Sequence, residues 1–262
     1  MTWRALVPLL LGLVQPSCSS GEVAPFTVGA AASATDALGE AVARWNASPE
    51  ARRGARASFA SSSTVARQME AGAPFEIIVS ADRSYIERLQ EADLVDPASV
   101  AVLARNALVL AVREEDADLL APLGSAPIRA GATLPSSLAG ARWCTGDPEH
   151  VPAGSYAREA LGALGWWGAV EPALVAVRDV RAAVRLVQLG EADLCVAYAS
   201  DVHGRDLVSV PLDGALHRPV QLVAAAATDA GDEAREFLAV LSAPGAPAFG
   251  AAMGFLPFEG TR

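Results

Sequence analysis

From Phe26 onward, short apolar runs alternate with longer stretches in which apolar residues recur at helical spacing, the pattern of parallel sheets covered by helices. Residues 26–31 read as a strand, and Leu38, Val42 and Trp45 then fall at i, i+4 and i+7 of a helix. A second unit of the same kind follows. Residues 55–60 are strand-like, Ser61, Ser62 and Ser63 form a polar turn, Val65 and Met69 mark a helix, and 76–80 is another buried strand. Residues 106–112 read as a strand, followed by a loose stretch at 113–137 rich in Pro, Gly, Ala and Asp, where a first crossing between lobes is expected. Residues 143–146 open a second alternating series. It carries helices over 155–164 and 180–189, the latter aligning Val180, Val184 and Val187, and a closing strand at 194–198. Residues 219–226 read as the return crossing, after which a helix carrying Phe237, Leu238 and Leu241 packs back on the first lobe.

The expected fold class is therefore α/β, with two lobes, each a mixed sheet covered by helices, joined by two crossing segments that act as a hinge near 109–113 and 221–224. Residues 22–109 form the first part of lobe 1, 110–219 form lobe 2, and 220–262 return to lobe 1. No internal repeat of fixed period is present.

Ahead of this pattern, Met1 to Arg4 lead into an apolar stretch at 5–14 and then Cys18 between serines, which reads as an export signal over 1–21. The stretch is too short to span a bilayer as a helix. Ordinary cleavage and lipid attachment at Cys18 both stay open, and either gives a periplasmic or other extracytoplasmic protein. Beyond Cys18 only Cys144 and Cys195 remain, as one disulfide or as two buried thiols. An apolar content of 52% supplies real cores. The formal charge of -10 repels nucleic acid and acidic membrane surfaces, so any anion site has to work through local dipoles.

Four turns stand at strand ends just before helices: 30–33, 61–64, 151–154 and 178–180. The free N–H groups of a helix's first turn, with the positive end of its dipole, make each one a candidate anion seat. Serine before a helix is more often a plain cap than a ligand contact. Four such turns in two α/β lobes are more pointed, because ligands of open α/β sheets settle at the carboxyl ends of strands.

These segments carry a family resemblance over nearly the whole exported length. The stretches Ala30-Ala31-Ala32-Ser33, Phe59-Ala60-Ser61-Ser62-Ser63-Thr64, Ser80-Ala81-Asp82, Gly146 to Gly154, Asp179-Val180-Arg181-Ala182 and Tyr198-Ala199-Ser200-Asp201 resemble, in order and spacing, the periplasmic molybdate-binding proteins of ABC-type importers. The resemblance implies a cleft that holds the oxyanion through Ser33 and Ser62 on one lobe and Ala153, Val180 and Tyr198 on the other. The serines and Tyr198 would offer hydroxyls, and Ala153 and Val180 backbone N–H groups. Molybdenum would be held as its oxyanion through these residues, with no direct metal ligand and no cofactor. The implied partners are molybdate or tungstate and a membrane permease, for a protein acting as a monomer. Departures from the family pattern are Gly29, where an aromatic is usual and the cleft wall is expected to change, Ala34 in place of Leu, and Phe75-Glu76 in place of Ala-Asp. Asp36 and Arg67 read as solvated helix positions or as supports behind the ligand contacts.

A tetrahedral dianion presents only acceptors, so neutral hydroxyl and amide donors satisfy it without Lys or Arg. Protonated phosphate brings an O–H that such a shell leaves unpaired, at a cost of about 1–3 kcal/mol. Fully ionised molybdate, tungstate and sulfate are then favoured, and cavity size chooses among them. Two other readings stand beside this one: a binding protein for sulfate or another small oxyanion, and a secreted hydrolase using a serine of 61–63 with His150 as base.

Overall fold

The computed structural model describes residues 24–49 and 51–256; the expected export signal and Cys18 lie outside them. In chain order the elements are β1 (Phe26–Ala31), α1 (Thr35–Ala47), β2 (Ala55–Ala60), α2 (Ser62–Glu70), β3 (Ile77–Ser80), α3 (Arg83–Glu91), β4 (Ala101–Arg105) and β5 (Leu108–Arg113). There follow α4 (Ser136–Ala139), β6 (Trp143–Gly146), α5 (Pro152–Ala163), α6 (Trp167–Val170), β7 (Val175–Val177) and α7 (Val180–Gln188). The chain ends with β8 (Leu194–Tyr198), α8 (Ala199–Val202), β9 (Leu207–Pro211), β10 (Gln221–Ala226) and α9 (Asp232–Ser242).

Two five-stranded sheets result, in the orders β2-β1-β3-β10-β4 and β7-β6-β8-β5-β9. Each is mixed in the same way. β1 runs parallel to β2 and β3 while β10 is antiparallel to β3 and β4. β6 likewise runs parallel to β7 and β8, and β5 is antiparallel to β8 and β9. The three parallel strands of each sheet therefore send their carboxyl ends to the same edge, where the chain turns into a helix. Burial drives this arrangement: β1 and β8 are buried along their whole length, which fits strands covered on both faces.

The crossings differ from the sequence expectation. β4 belongs to the first sheet and β5 to the second, so the chain passes between them at Asn106 and Ala107, ahead of the loose stretch at 113–137. That stretch is irregular but not a linker, because Leu120 and Ile128 from it are buried in the core. Residues 109–113 and 221–224 are also poor hinges. They sit in β5 and β10, each hydrogen-bonded to a strand on both sides. The segments free of the sheets are 106–107 and 212–220. They run side by side, with Asn106 N–H donating to the Val220 carbonyl at 3.0 Å. The Asn106 amide also donates to Ser200 Oγ at 2.8 Å, fixing the crossing to the start of α8.

Gly29 acts on packing rather than on the cleft wall. A Cβ there would lie 2.7 Å from Phe75 Cδ2 and 2.7 Å from Val65 Cγ1, closer than real contacts allow. The Phe75 ring occupies the volume over position 29, so the aromatic has moved from the strand to the loop ahead of β3. Gly29→Tyr alone is expected to cost about 2 kcal/mol in a urea melt through overpacking. The pair Gly29→Tyr with Phe75→Ala should recover more than half of that loss, and no recovery would dissociate the two sites.

Candidate functional site

The carboxyl ends of the parallel strands from both sheets face one another across a small cavity. It is lined by Ser33, Ser62, Ala153, Val180 and Tyr198, so all five residues named from the sequence meet at one place. The cavity is small, about 10 Å³, close to the least space that holds one water. All five are 1–4% exposed. Ser61, Ala81 and Asp179 also line the cavity; Ser61 and Asp179 fall in turns named from the sequence as candidate anion seats, but none of the three was assigned a ligand contact. Ala81 was legible in principle, since it directly follows β3 at the same carboxyl edge.

Each side chain or amide is placed by the start of a helix. The 3-10 turn Ala32–Ala34 carries Ser33 out of β1 and runs straight into α1. Ser61 caps α2: its hydroxyl accepts from Thr64 N–H at 3.3 Å and contacts Ser63 Oγ at 3.0 Å. That leaves Ser62 at the first helical position. Its Oγ accepts from Ala81 N–H at 3.0 Å. With a lone pair so engaged, the Ser62 hydroxyl hydrogen is free to donate into the cavity.

The second lobe supplies amides and one phenol. Pro152 stands in the first turn of α5 and no side chain caps that helix, so the amides beginning with Ala153 lack carbonyl partners within it. Asp179 caps α7 by accepting from Ala182 N–H at 2.8 Å, and its other oxygen lies 3.3 Å from Arg178 Nε. Both of its oxygens are thereby engaged, and the Val180 amide stands in the helix's first turn. Tyr198 ends β8 with its hydroxyl buried and without a hydrogen-bond partner among the described residues. Burial, followed by the nearby Tyr156 and Asp201, pushes its phenol well above the ordinary value, so it remains a protonated donor. The Tyr156 ring packs edge-on against it at 6.3 Å, and the Arg218 guanidinium covers Tyr156 at 4.2 Å.

Donors thus predominate around the cavity, as anion binding requires. The hydrolase arrangement does not form, because none of the hydrogen bonds recorded for Ser61, Ser62 or Ser63 involves a histidine. His150 does not line the cavity, and its recorded contact is its carbonyl, which accepts from Tyr85 Oη at 2.9 Å. Cys144 and Cys195 face each other in register on β6 and β8 as buried free thiols. Among the described residues there is no cluster of His, Cys, Asp or Glu suited to a metal ion, and no helix long and apolar enough to cross a membrane.

A two-lobed shell closing donors over a buried cavity is the design of a solute receptor, and the chain belongs to the bacterial extracellular solute-binding protein family, whose model matches residues 26–256. Within it, the chain is 38% identical over 216 residues to the molybdate-binding protein ModA of Haemophilus influenzae, covering 81% of this chain and 80% of that one. It is 40% identical over 180 residues to ModA of Escherichia coli, a match spanning 67% of this chain and 66% of that protein, just under two thirds of its length. The periplasmic molybdate-binding protein of Azotobacter vinelandii shares the fold, with a TM-score of 0.73 at 20% identity over 89% of this chain and all of that one.

Proposed function

We propose that this protein captures molybdate, or the closely similar tungstate, outside the cytoplasm and delivers it to the permease of an ABC-type importer. It acts as a monomer without cofactor or catalysis. The observation that carries this reading is the meeting of Ser33, Ser62, Ala153, Val180 and Tyr198 around one small buried cavity. Similarity to the two ModA proteins supports the choice of oxyanion. Each bond from a neutral donor to the dianion contributes roughly 1.5–3 kcal/mol, and the donors come from both lobes, so the guest favours the closed form. Closure in turn presents the permease with a surface that differs from the open one.

Calorimetry on ligand-free protein with molybdate, tungstate, sulfate and phosphate tests the proposal. Molybdate and tungstate are expected to bind about five- to 150-fold tighter than phosphate, whose proton finds no acceptor. Sulfate bound more tightly than molybdate would move the assignment to sulfate. Equal or absent binding of all four would remove the oxyanion reading. Chromogenic esters should not be turned over.

A further inference from the structure

We propose that Asp36, Arg181 and Arg205 form a charged clasp across one lip of the cleft that sets how slowly the closed protein releases its guest. The proposal rests on the oxyanion reading of the cavity. Asp36 lies in the first turn of α1 on lobe 1, three residues beyond Ser33. Arg181 follows Val180 on lobe 2, and its Nη1 is 2.9 Å from Asp36 Oδ2. Arg205, also on lobe 2, places Nη2 2.8 Å from the same oxygen. Both ion pairs span the two lobes, so opening breaks them together.

The lobe 2 half of the clasp is built into the fold. Arg181 Nε lies 2.6 Å from Asp201 Oδ1, a charge contact rather than an aligned hydrogen bond. Asp201 is fully buried in α8, which starts immediately after Tyr198. Burial raises its acid to about 6 against the opposing pull of Arg181, so at neutral pH it is the anion that anchors Arg181. Arg205 Nε donates to the Asp201 carbonyl at 2.7 Å. One guanidinium therefore connects the elements that carry Ser33, Val180 and Tyr198.

Other interlobe contacts lie elsewhere along the cleft. Tyr85 Oη donates to the His150 carbonyl and Tyr156 Oη to the Ala81 carbonyl at 3.4 Å, both neutral bonds. Arg218 pairs with Asp82 of lobe 1 at 2.5 Å and with Glu159 of lobe 2, a second charged bridge beside the return crossing. On its own lip of the cleft, the salt-sensitive contact lies with Asp36. Its carboxylate is about half exposed while Arg181 and Arg205 are mostly buried, which suits a contact that forms and breaks with the lobes.

The test loads full-length mature protein with radiolabelled molybdate and chases it with unlabelled molybdate at several salt concentrations. Asp36→Asn is the variant of choice, because removing Arg181 would strand the buried Asp201 and risk the fold. At low salt Asp36→Asn is expected to release the label about tenfold faster than wild type, with the association rate changed less than roughly twofold. Wild-type release should quicken with added salt and converge on the variant near about 1 M, where surface charge is screened. Asp36→Glu, which keeps the charge, should release within about threefold of wild type. Equal release rates at low salt would overturn the clasp alone. A difference that persists undiminished at high salt would also overturn it, by showing that the substitution acts through Ser33. A wild type that retains no label at any salt overturns the oxyanion reading, and the clasp with it.

Discussion

Tyr198→Phe is expected to weaken molybdate binding by roughly tenfold to a hundredfold while leaving the ligand-free protein at least as stable as wild type. The two halves of this result follow from one atom. Tyr198 Oη is buried and makes no hydrogen bond among the described residues, so deleting it removes no hydrogen bond there. The ring stays in place, packed on Tyr156. What disappears is a donor aimed at the cavity, together with about 1.5–3 kcal/mol of charge-assisted bonding to a dianion. Calorimetry gives the affinity, and thermal melts with and without molybdate give the rest. Because ligand stabilisation scales with the logarithm of affinity, the molybdate-induced gain should shrink by about 1.4–2.8 kcal/mol. A structural tyrosine would behave in the opposite way, with the ligand-free protein losing stability and affinity holding. That outcome would take Tyr198 out of the site.

Gly154→Ala is expected to reduce affinity by more than about a hundredfold and to cost about 3 kcal/mol of stability. A Cβ at Gly154 would lie 1.9 Å from the Gly146 carbonyl oxygen and 2.7 Å from the Asp147 carbonyl carbon. Both are backbone atoms at the end of β6, which cannot swing aside like a side chain. The first turn of α5 has to retreat instead, and it carries the Ala153 amide away from the cavity. Gly162 on the same helix is the internal control, since a Cβ there meets nothing within 4 Å. Gly162→Ala should be neutral, or stabilising by up to about 1 kcal/mol, with unchanged affinity. Urea melts and calorimetry on the two variants check both statements, and wild-type affinity in Gly154→Ala would contradict the close approach.

Much of the frame was readable before any coordinates. Residues 26–31, 55–60, 143–146 and 194–198 carry apolar or small runs, broken only by Arg56, ahead of turn residues, and each became a strand with those bounds. Elements with weaker signals escaped. α3 buries only Ile86 and Leu89 among polar neighbours, and β7 is three residues long and largely exposed. The stretch at 113–137 misled because proline and glycine mark an irregular path, which here runs over a core rather than through solvent. The set of five cleft residues came from the family resemblance; four of them also fall in turns before helices, a local feature that the sequence records, whereas Tyr198 does not. The clasp was not legible, since Arg181 and Asp36 are 145 positions apart and only folding brings them to one lip. Gly29 and Phe75 were noticed as separate departures, and their exchange of one volume appears only in three dimensions.

The shared layout of the two sheets has an electrical consequence. Four helix starts, at 32–35, Ser62, Pro152 and Val180, point their positive ends at one another across the cavity. Each end is equivalent to roughly half a unit charge, so together they amount to about two. Shut and empty, like ends would push the halves apart; a guest of opposite and equal charge turns that repulsion into cohesion. On the proposed function, the oxyanion is then the keystone of the closed shape, and a permease that prised the halves open would loosen the stone and the arch in a single motion.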